Sequence, residues 1–573
     1  MSLLIRYVRP ELPRAVVAGV LLLAGVGVDL AAPQILRYFI DTAKAGAALR
    51  TLTLAACLYL VAGLVGDALS VLHMYTTQSL GWLTTNRLRL DLLYHCLRLD
   101  MSFHAERTPG EMMERVDGDA GALSGFFSDF VMWVLGSSLY LVGALALIYR
   151  EDWRLALALT AIAAFSLPVL LGLGRWTVPI WRDAHEAEAQ LFGSIEERLA
   201  GITDLRANGG LDYTMLRLHE KMREAFVRMR RGSIIGHVAN STTNILLTVG
   251  YAVALGFGLV LYRQGEFTIG TVYLVFHYAR SLSQPLQMLS RQIQELQHAA
   301  AATGRIAELL ATRTQLATRG TKRVPAGPLS VEFDDVSFRY TDDEPVLDEV
   351  SLRLEPGRTL GLLGRTGSGK TTMMRLLFRL YDPTYGAVRL NGIDLREVDV
   401  DTVRGRIGLV TQDVQLFNAS VRDNVTLFDD AIVPQRVEDA LGRVGLAEWV
   451  ESLPHGIDTA LDPDNVGLSA GEAQLLALCR VFLTDAGLML LDEHSSRLDP
   501  ITEARIDGLV AELLADRTGI IIAHRLETVL RLDDIAILEG GHVREFGPRE
   551  QLMANPSSRL SELLRVGIER ELA

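Results

Sequence analysis

The chain has 573 residues, too many for one core, so several domains are expected. Hydrophobic residues make up 49% and the formal net charge is −13, which excludes a nucleic-acid surface and points to segments buried in something other than water. Three cysteines (Cys57, Cys96, Cys479) form no CxxC pair, which excludes a disulfide framework or a cysteine metal site and leaves buried thiols. The first residues carry no short apolar run ending at a small-residue cleavage site, so no removable signal peptide is expected.

A helix needs about 20 apolar residues to cross a bilayer core. Six stretches qualify as spans. Ala15 to Asp41 is apolar except for Asp29 and Arg37, and Leu52 to Leu72 is broken by Asp67. Phe130 to Tyr149, Leu155 to Gly174 and Ala239 to Tyr262 carry no charge. Phe267 to Ser290 is broken by Arg280. The connections alternate between short and long. The two long ones carry Arg87, Arg89, Arg98, Arg107 and Arg115, and then Arg228, Arg230 and Arg231 among others. The excess of Lys and Arg puts the long connections and both termini in the cytoplasm. Gly and Pro are rare in the long connections, each being punctuated once, at "ERTPGEM" and at "RANGGLD". They therefore read as cytoplasmic helical hairpins whose arms reach roughly 30 Å beyond the bilayer.

The helical pattern runs to about Arg313, which closes a membrane domain over 1–313. Residues 314–328, polar and marked by Pro and Gly, read as a linker. From 329 to 573 short β-branched runs alternate with helical stretches, as in an α/β domain.

Within that domain "LGLLGRTGSGKTT" is an apolar strand, a G-x-x-x-x-G-K-T loop and a helix. Gly364, Arg365, Thr366, Gly367, Ser368 and Gly369 form a turn whose N–H groups can face phosphate oxygens, and the helix N-terminus adds partial positive charge. Lys370 reaches the β- and γ-phosphates, Thr371 ligates Mg²⁺, and Thr372 continues the loop into the helix. "GLMLLDEHSSRLD" is a buried strand ending in two acids: Asp492 suits a second Mg²⁺ contact, and Glu493 suits a base for attacking water. Alone, that pair is equally compatible with helix capping. His524 follows the apolar strand "IIIAHRLE"; a lone histidine there is usually structural, and its weight comes from the company it keeps.

Taken together these motifs resemble the ATP-binding cassette (ABC) superfamily, specifically an exporter-type half-transporter of the bacterial heterodimeric multidrug or lipid kind. The resemblance covers nearly the whole chain. It implies an all-α six-helix membrane domain with long cytoplasmic extensions, followed by an α/β P-loop ATPase with a helical subdomain. Tyr340 in "SFRYTDDEP" resembles the aromatic that stacks on adenine. Gln412 in "VTQDVQLF" resembles the Q-loop residue near Mg²⁺. His524 resembles the switch histidine. "GLSAGEAQLLALCRVFL" resembles the signature, supplying Ser469, Gly471 and Glu472 to an ATP held by a second chain. Coupling helices are expected near Phe103 to Glu111 and Gly209 to Tyr213. The cofactors implied are ATP and Mg²⁺, in a dimer spanning the inner (plasma) membrane with its ATPase domain in the cytoplasm.

The signature departs from the family pattern. Ala470 adds a methyl group and Glu472 a carboxylate where a small residue and a neutral glutamine are usual. A carboxylate about 7 Å from a γ-phosphate costs ~2 kcal/mol at an effective dielectric of 20. The catalytic set of this chain looks intact, while the part lent to the partner looks weakened, which suits a heterodimer with one degenerate site. A homodimer in which Ala and Glu are tolerated is the alternative. His494, Ser495, Arg497 and Asn465 also depart from the pattern. Cargo is less legible. Asp29, Asp67, His73, His277 and Arg280 stand at or near membrane depth, where an ionisable residue suggests a functional site, with inter-helix hydrogen bonding as the competing role. Asp29 and Asp67 favour cationic or amphipathic cargo, and Asp67 and Arg280 are the expected cargo contacts. No peptidase domain is apparent before the first helix. Export of lipophilic, amphipathic or lipid-like compounds leads; import of a metal chelate and a purely regulatory ATP-binding subunit are the alternatives.

Overall fold

In the computed structural model the described residues are 6–129, 134–316, 320–341, 344–411, 414–461, 468–492, 500–523 and 525–566. They form two compact units, Met1–Leu97 with Pro109–Thr312, and Arg98–Thr108 with Arg313–Ala573.

The first unit is helical. Its long members are Leu12–Lys44, Leu49–Leu97, Trp153–Ala200 and Leu211–Arg263, and it also holds Gly136–Glu151, Ile269–Ser281 and Ser283–Ala311. Hydrocarbon offers no hydrogen-bond partner to a backbone, so an apolar run must satisfy its own N–H and C=O groups, and a helix does so. Helices of 49, 48 and 53 residues are roughly 70–80 Å long at 1.5 Å per residue, more than twice a bilayer core. These continuous rods are the extensions expected from the sparse Gly and Pro.

Among the described residues three helices are long and apolar enough to cross a membrane: Arg6–Lys44, Leu49–Leu97 and Leu211–Arg263. Only 6% of the most apolar window of Leu49–Leu97 is buried, so Leu58, Leu60, Leu64 and Val71 lie exposed. A band of that kind belongs in lipid. Trp153–Ser166 is a shorter apolar stretch, and the span expected at Phe130 begins outside the described residues. The sixth span is divided: Ile269–Ser281 ends at Leu282 and a new helix starts at Ser283. Pro285 has no N–H to donate back across this junction. Pro33, Pro168 and Pro179 are accommodated inside helices.

The turns of the two hairpins carry short helices. The first has Met101–Ala105 and Pro109–Met113, overlapping the expected Phe103 to Glu111. The second has Ile202–Ala207, upstream of the expected Gly209 to Tyr213. Gly209 takes φ 68 and the N–H of Gly210 returns to the carbonyl of Leu205, so Gly209 ends one helix and Leu211 begins the next.

The second unit contains strands β1 (Val331–Phe338), β2 (Leu347–Leu354), β3 (Thr359–Leu363), β4 (Tyr385–Leu390), β5 (Ile393–Asp394), β6 (Ile407–Val410), β7 (Ala419–Ser420), β8 (Ala460–Leu461), β9 (Leu488–Asp492), β10 (Thr518–Ile522), β11 (Asp534–Glu539) and β12 (His542–Pro548). The main sheet has the order β12-β11-β3-β10-β9-β6, parallel except for the edge strand β12. Leu488, Met489, Leu490 and Leu491 are fully buried, as a parallel strand covered on both faces requires. An antiparallel sheet, β2-β1-β4-β5, lies in the same unit. The helices Val421–Thr426, Pro434–Arg443 and Ala470–Phe482 share an apolar core with the main sheet.

Residues read as a linker are tied into this unit. Leu316 and Val324 are buried, Lys322 pairs with Glu397, and Asp100 accepts hydrogen bonds from Thr314 and from the N–H of Gln315. One hairpin-tip residue, Asp100, thus ties down the start of the second unit.

The thiols test this architecture. Cys57 is exposed on an apolar helix, Cys96 is buried, and burial holds the Cys479 thiol far above the usual range, leaving almost no thiolate. A charged, membrane-impermeant maleimide should label none of the three in native membranes, and all three after denaturation, counted by intact mass. Labelling of native Cys57 would place that turn in water and remove the second span.

Candidate functional site

Strand β3 delivers the phosphate loop from the middle of the main sheet. Gly364, Gly367 and Gly369 have φ of 147, 84 and 104, conformations that L side chains rarely adopt. Two of these positions are also sterically closed. A Cβ on Gly364 would stand 2.3 Å from the Leu538 carbonyl oxygen, and one on Gly369 would stand 2.5 Å from Leu347 Cδ2. Gly369 then caps the helix Lys370–Leu377.

Lys370 is 6% exposed, and its Nζ donates to the carbonyls of Gly364 (2.6 Å) and Arg365 (3.0 Å). The ammonium is thereby held inside the curve of the loop. Ser368 Oγ is buried without a hydrogen-bond partner among the described residues. Thr371 Oγ1 donates to Asp492 Oδ2 at 3.3 Å, so the two oxygens proposed from sequence for Mg²⁺ are neighbours. A cradle only glycine can line, a curled ammonium and a hydroxyl–carboxylate pair together fit a nucleotide with its cation.

Tyr340 also lines the cavity at this loop. Its hydroxyl lies 3.1 Å from Thr372 Oγ1 and accepts from Arg375 at 3.1 Å. Its ring meets Phe338 and Tyr381 edge-on, with centroids 4.9 and 5.2 Å away. Burial, reinforced by the neighbouring Tyr340, pushes the Tyr381 phenol above its ordinary value, so it stays neutral. Tyr340, Thr366, Gly367, Gly369, Lys370, Thr371, Thr372 and Asp492 line one cavity of about 1010 Å³, together with Met101 and Ala105 from the hairpin tip that belongs to this unit.

Gln412, Glu493 and His524 lie outside the described residues, as do His494, Ser495, Arg497 and Asn465. The strands that lead to the first three, β6, β9 and β10, are adjacent and parallel and end at Val410, Asp492 and Ile522.

The signature residues Ser469, Gly471 and Glu472 do not line this cavity. Ser469 is instead the N-cap of Ala470–Phe482. Its Oγ accepts from the Glu472 N–H at 3.2 Å, while Glu472 Oε2 accepts from the Ser469 N–H at 2.8 Å and from its hydroxyl at 2.9 Å. This is a complete capping box. The carboxylate that looked misplaced in the sequence satisfies the start of its own helix. The S-x-x-E spacing of Ser469 and Glu472 is the sequence signal for such a box.

In the first unit Asp29, Asp67, His73 and His277 line a common cavity of about 570 Å³, whereas Arg280 does not line it. The cargo contact expected at Arg280 is thus not brought to this cavity, and the one at Asp67 is.

Residues 16–286 match the ABC transporter transmembrane region, and residues 347–496 match the ABC transporter family. The fatty acid ABC transporter ATP-binding/permease protein of Mycobacterium tuberculosis is 30% identical over 538 residues, 94% of this chain and 82% of that protein. The ATP-dependent lipid A-core flippase of Burkholderia pseudomallei is 31% identical over 560 residues, 96% of this chain and 92% of that protein. In fold, the chain is similar to a bacterial Atm1-family ABC exporter solved with ATP bound, with a TM-score of 0.78 at 24% identity, over 98% of this chain and 97% of that one.

The loop geometry ranks its glycines. Gly367 has open space around its Cβ position, so Gly367→Ala meets only the cost of left-handed backbone, about 1–2 kcal/mol. Gly364→Ala meets a backbone carbonyl as well. Affinity for a fluorescent ATP analogue should fall about tenfold or more further for Gly364→Ala than for Gly367→Ala. Equal losses would show that the loop does not hold this shape.

Proposed function

The chain belongs to the ABC transporter family, with a transmembrane region fused to an ATP-binding domain, and on that premise we propose that it is one half of a dimeric exporter of amphipathic or lipid-like compounds. The ATPase is coupled to translocation. The observation that carries the dimer is the incomplete nucleotide cavity: Lys370, Thr371 and Asp492 line it, and Ser469, Gly471 and Glu472 do not. The signature helix that would close over a γ-phosphate bound there is then supplied by a second chain. The relatives act on fatty acid and on lipid A core by name, which supports a lipid-like cargo, and the exposed apolar helices support a bilayer setting, proposed as the inner membrane with the ATPase domain cytoplasmic.

In this reading the loop N–H groups and Lys370 hold the β- and γ-phosphates, with the ammonium exchanging loop carbonyls for phosphate oxygens. Tyr340 receives the adenine. Thr371 and Asp492, with Gln412, would hold Mg²⁺, which when bound offsets phosphate charge. Glu493 directly follows Asp492 and is proposed to accept the proton of the attacking water, with His524 beside the γ-phosphate.

The partner is proposed to be a different half-transporter. Ser469 already gives its N–H and hydroxyl to Glu472, so the signature presents a partner's ATP with a carboxylate and with donors already engaged. A partner with an unblocked signature would complete the site on Lys370. The site facing Glu472 would then bind ATP and hydrolyse it slowly.

Two measurements test this reading. Glu493→Gln should leave nucleotide affinity nearly unchanged and lower turnover by about a hundredfold or more in the reconstituted dimer. Turnover within about threefold of the parent would remove the assigned role. Purified without a partner, the chain should be poorly active. Glu472→Gln should then raise its ATPase several-fold, because the N-cap loses its fixed charge but keeps Ser469. A stable homodimer with two equally active sites, indifferent to Glu472→Gln, would mean that the carboxylate is only a helix cap.

A further inference from the structure

The cavity in the membrane-spanning unit has an unusual balance of hydrogen-bonding groups. Asp29 and Asp67 both line it, and among the described residues no Lys or Arg does. Asp29 Oδ1 lies 3.7 Å from where a Cβ on Gly66 would stand, so the side chain reaches to the residue beside Asp67. Two carboxylates sharing one wall at membrane depth repel each other, and lipid cannot solvate them.

His73 adds a third acceptor. It is 6% exposed, and its Nδ1 lies 3.0 Å from the Ala18 carbonyl oxygen. A carbonyl only accepts, so Nδ1 carries the proton and Nε2 keeps its lone pair. That Nε2 is buried with no partner among the described residues. The site therefore offers two carboxylates and an unpartnered imidazole lone pair. Tyr59, Tyr140 and Tyr273 contribute aromatic rings, and Leu21, Leu22, Val26 and Leu69 an apolar wall.

We infer that this cavity recognises the ammonium or guanidinium head of an amphiphile. The head supplies the donors that Asp29, Asp67 and His73 lack, the tyrosine rings favour a cation over a neutral group, and the apolar wall takes the tail. The cationic head distinguishes this chain from relatives whose named cargo is a fatty acid. The inference rests on the exporter reading for its purpose, since recognition here would be of cargo, but it concerns binding and is tested without ATP.

The experiment uses the full chain in phosphatidylcholine nanodiscs, with empty nanodiscs subtracted. Dodecylammonium, dodecanol and dodecanoate share a tail and differ in head charge. Dodecylammonium should bind at least about tenfold more tightly than either of the others, and Asp67→Asn and Asp29→Asn should each lower that preference several-fold. The comparison of heads on the parent protein stands even if a variant fails to fold. Adding phosphatidylethanolamine separates the sources of such a head: an aminolipid occupant would compete with dodecylammonium, and a free amphiphile site would ignore it. Equal binding of the three, preference for dodecanoate, or a cation preference untouched in both folded variants would overturn the inference. Loss of ATP-driven transport with the cation preference intact would instead count against the exporter reading alone.

Discussion

The chain is organised by the inability of hydrocarbon to hydrogen-bond a backbone. Each apolar run must be helical across the bilayer, and where Gly and Pro are too sparse to stop it, even with Pro168 and Pro179 inside, the helix continues beyond. Leu49–Leu97, Trp153–Ala200 and Leu211–Arg263 are therefore single rods through and past the apolar stretch. Where they stop matters as much. The turn Arg98–Thr108 leaves the helical unit and packs with the ATP-binding unit, anchored where Asp100 accepts from Thr314 and Gln315. The nucleotide cavity is consequently lined in part by Met101 and Ala105, which come from between two membrane-spanning helices. A change of shape at that cavity has a covalent route into the spans.

Both cavities face the same difficulty with opposite signs. The nucleotide cavity must hold a polyanion, and it does so mainly with backbone: glycines at φ of 84 to 147 turn N–H groups inward, and Lys370 waits on two carbonyls. Neutral dipoles fixed by the fold need no counter-charge when the ligand leaves. The membrane cavity is lined by ionisable side chains and by a buried His73 Nε2 with no partner among the described residues, in a setting where such groups are hard to satisfy.

The sequence disclosed structure where one chemical requirement dictated local pattern. The phosphate loop was legible because only glycine fits Gly364 and Gly369. The strands β3, β9 and β10 were legible because burial on both faces demands unbroken apolar runs such as Leu488 to Leu491. What it disclosed poorly depended on tertiary partners. Residues 314–328 have linker composition, yet Leu316 and Val324 are buried against a surface that the local sequence does not announce. "RANGGLD" marked the second turn correctly, but whether the short helix precedes or follows the glycines depends on Gly209 adopting φ 68. Arg280 and Asp67 interrupt apolar spans alike, and only the packing separates the one that lines the cavity from the one that does not.

Glu472 shows why a departure from a ligand-binding pattern has to be weighed against the element that carries it. The N-terminus of Ala470–Phe482 has orphan N–H groups and a partial positive charge that favour an anion. In a signature helix that anion is expected to come from another chain's ATP. Here it is supplied internally, two hydrogen bonds from Ser469 to the Glu472 carboxylate. The same geometry that stabilises the helix therefore competes with the phosphate for the same donors. A helix capped in this way is well formed before any nucleotide arrives, so ATP adds less to its order than it would to an uncapped one. Closure over the partner's ATP must then either displace the carboxylate or accept its charge nearby. In both cases part of the binding energy that would drive closure is lost at whichever site this capped helix faces.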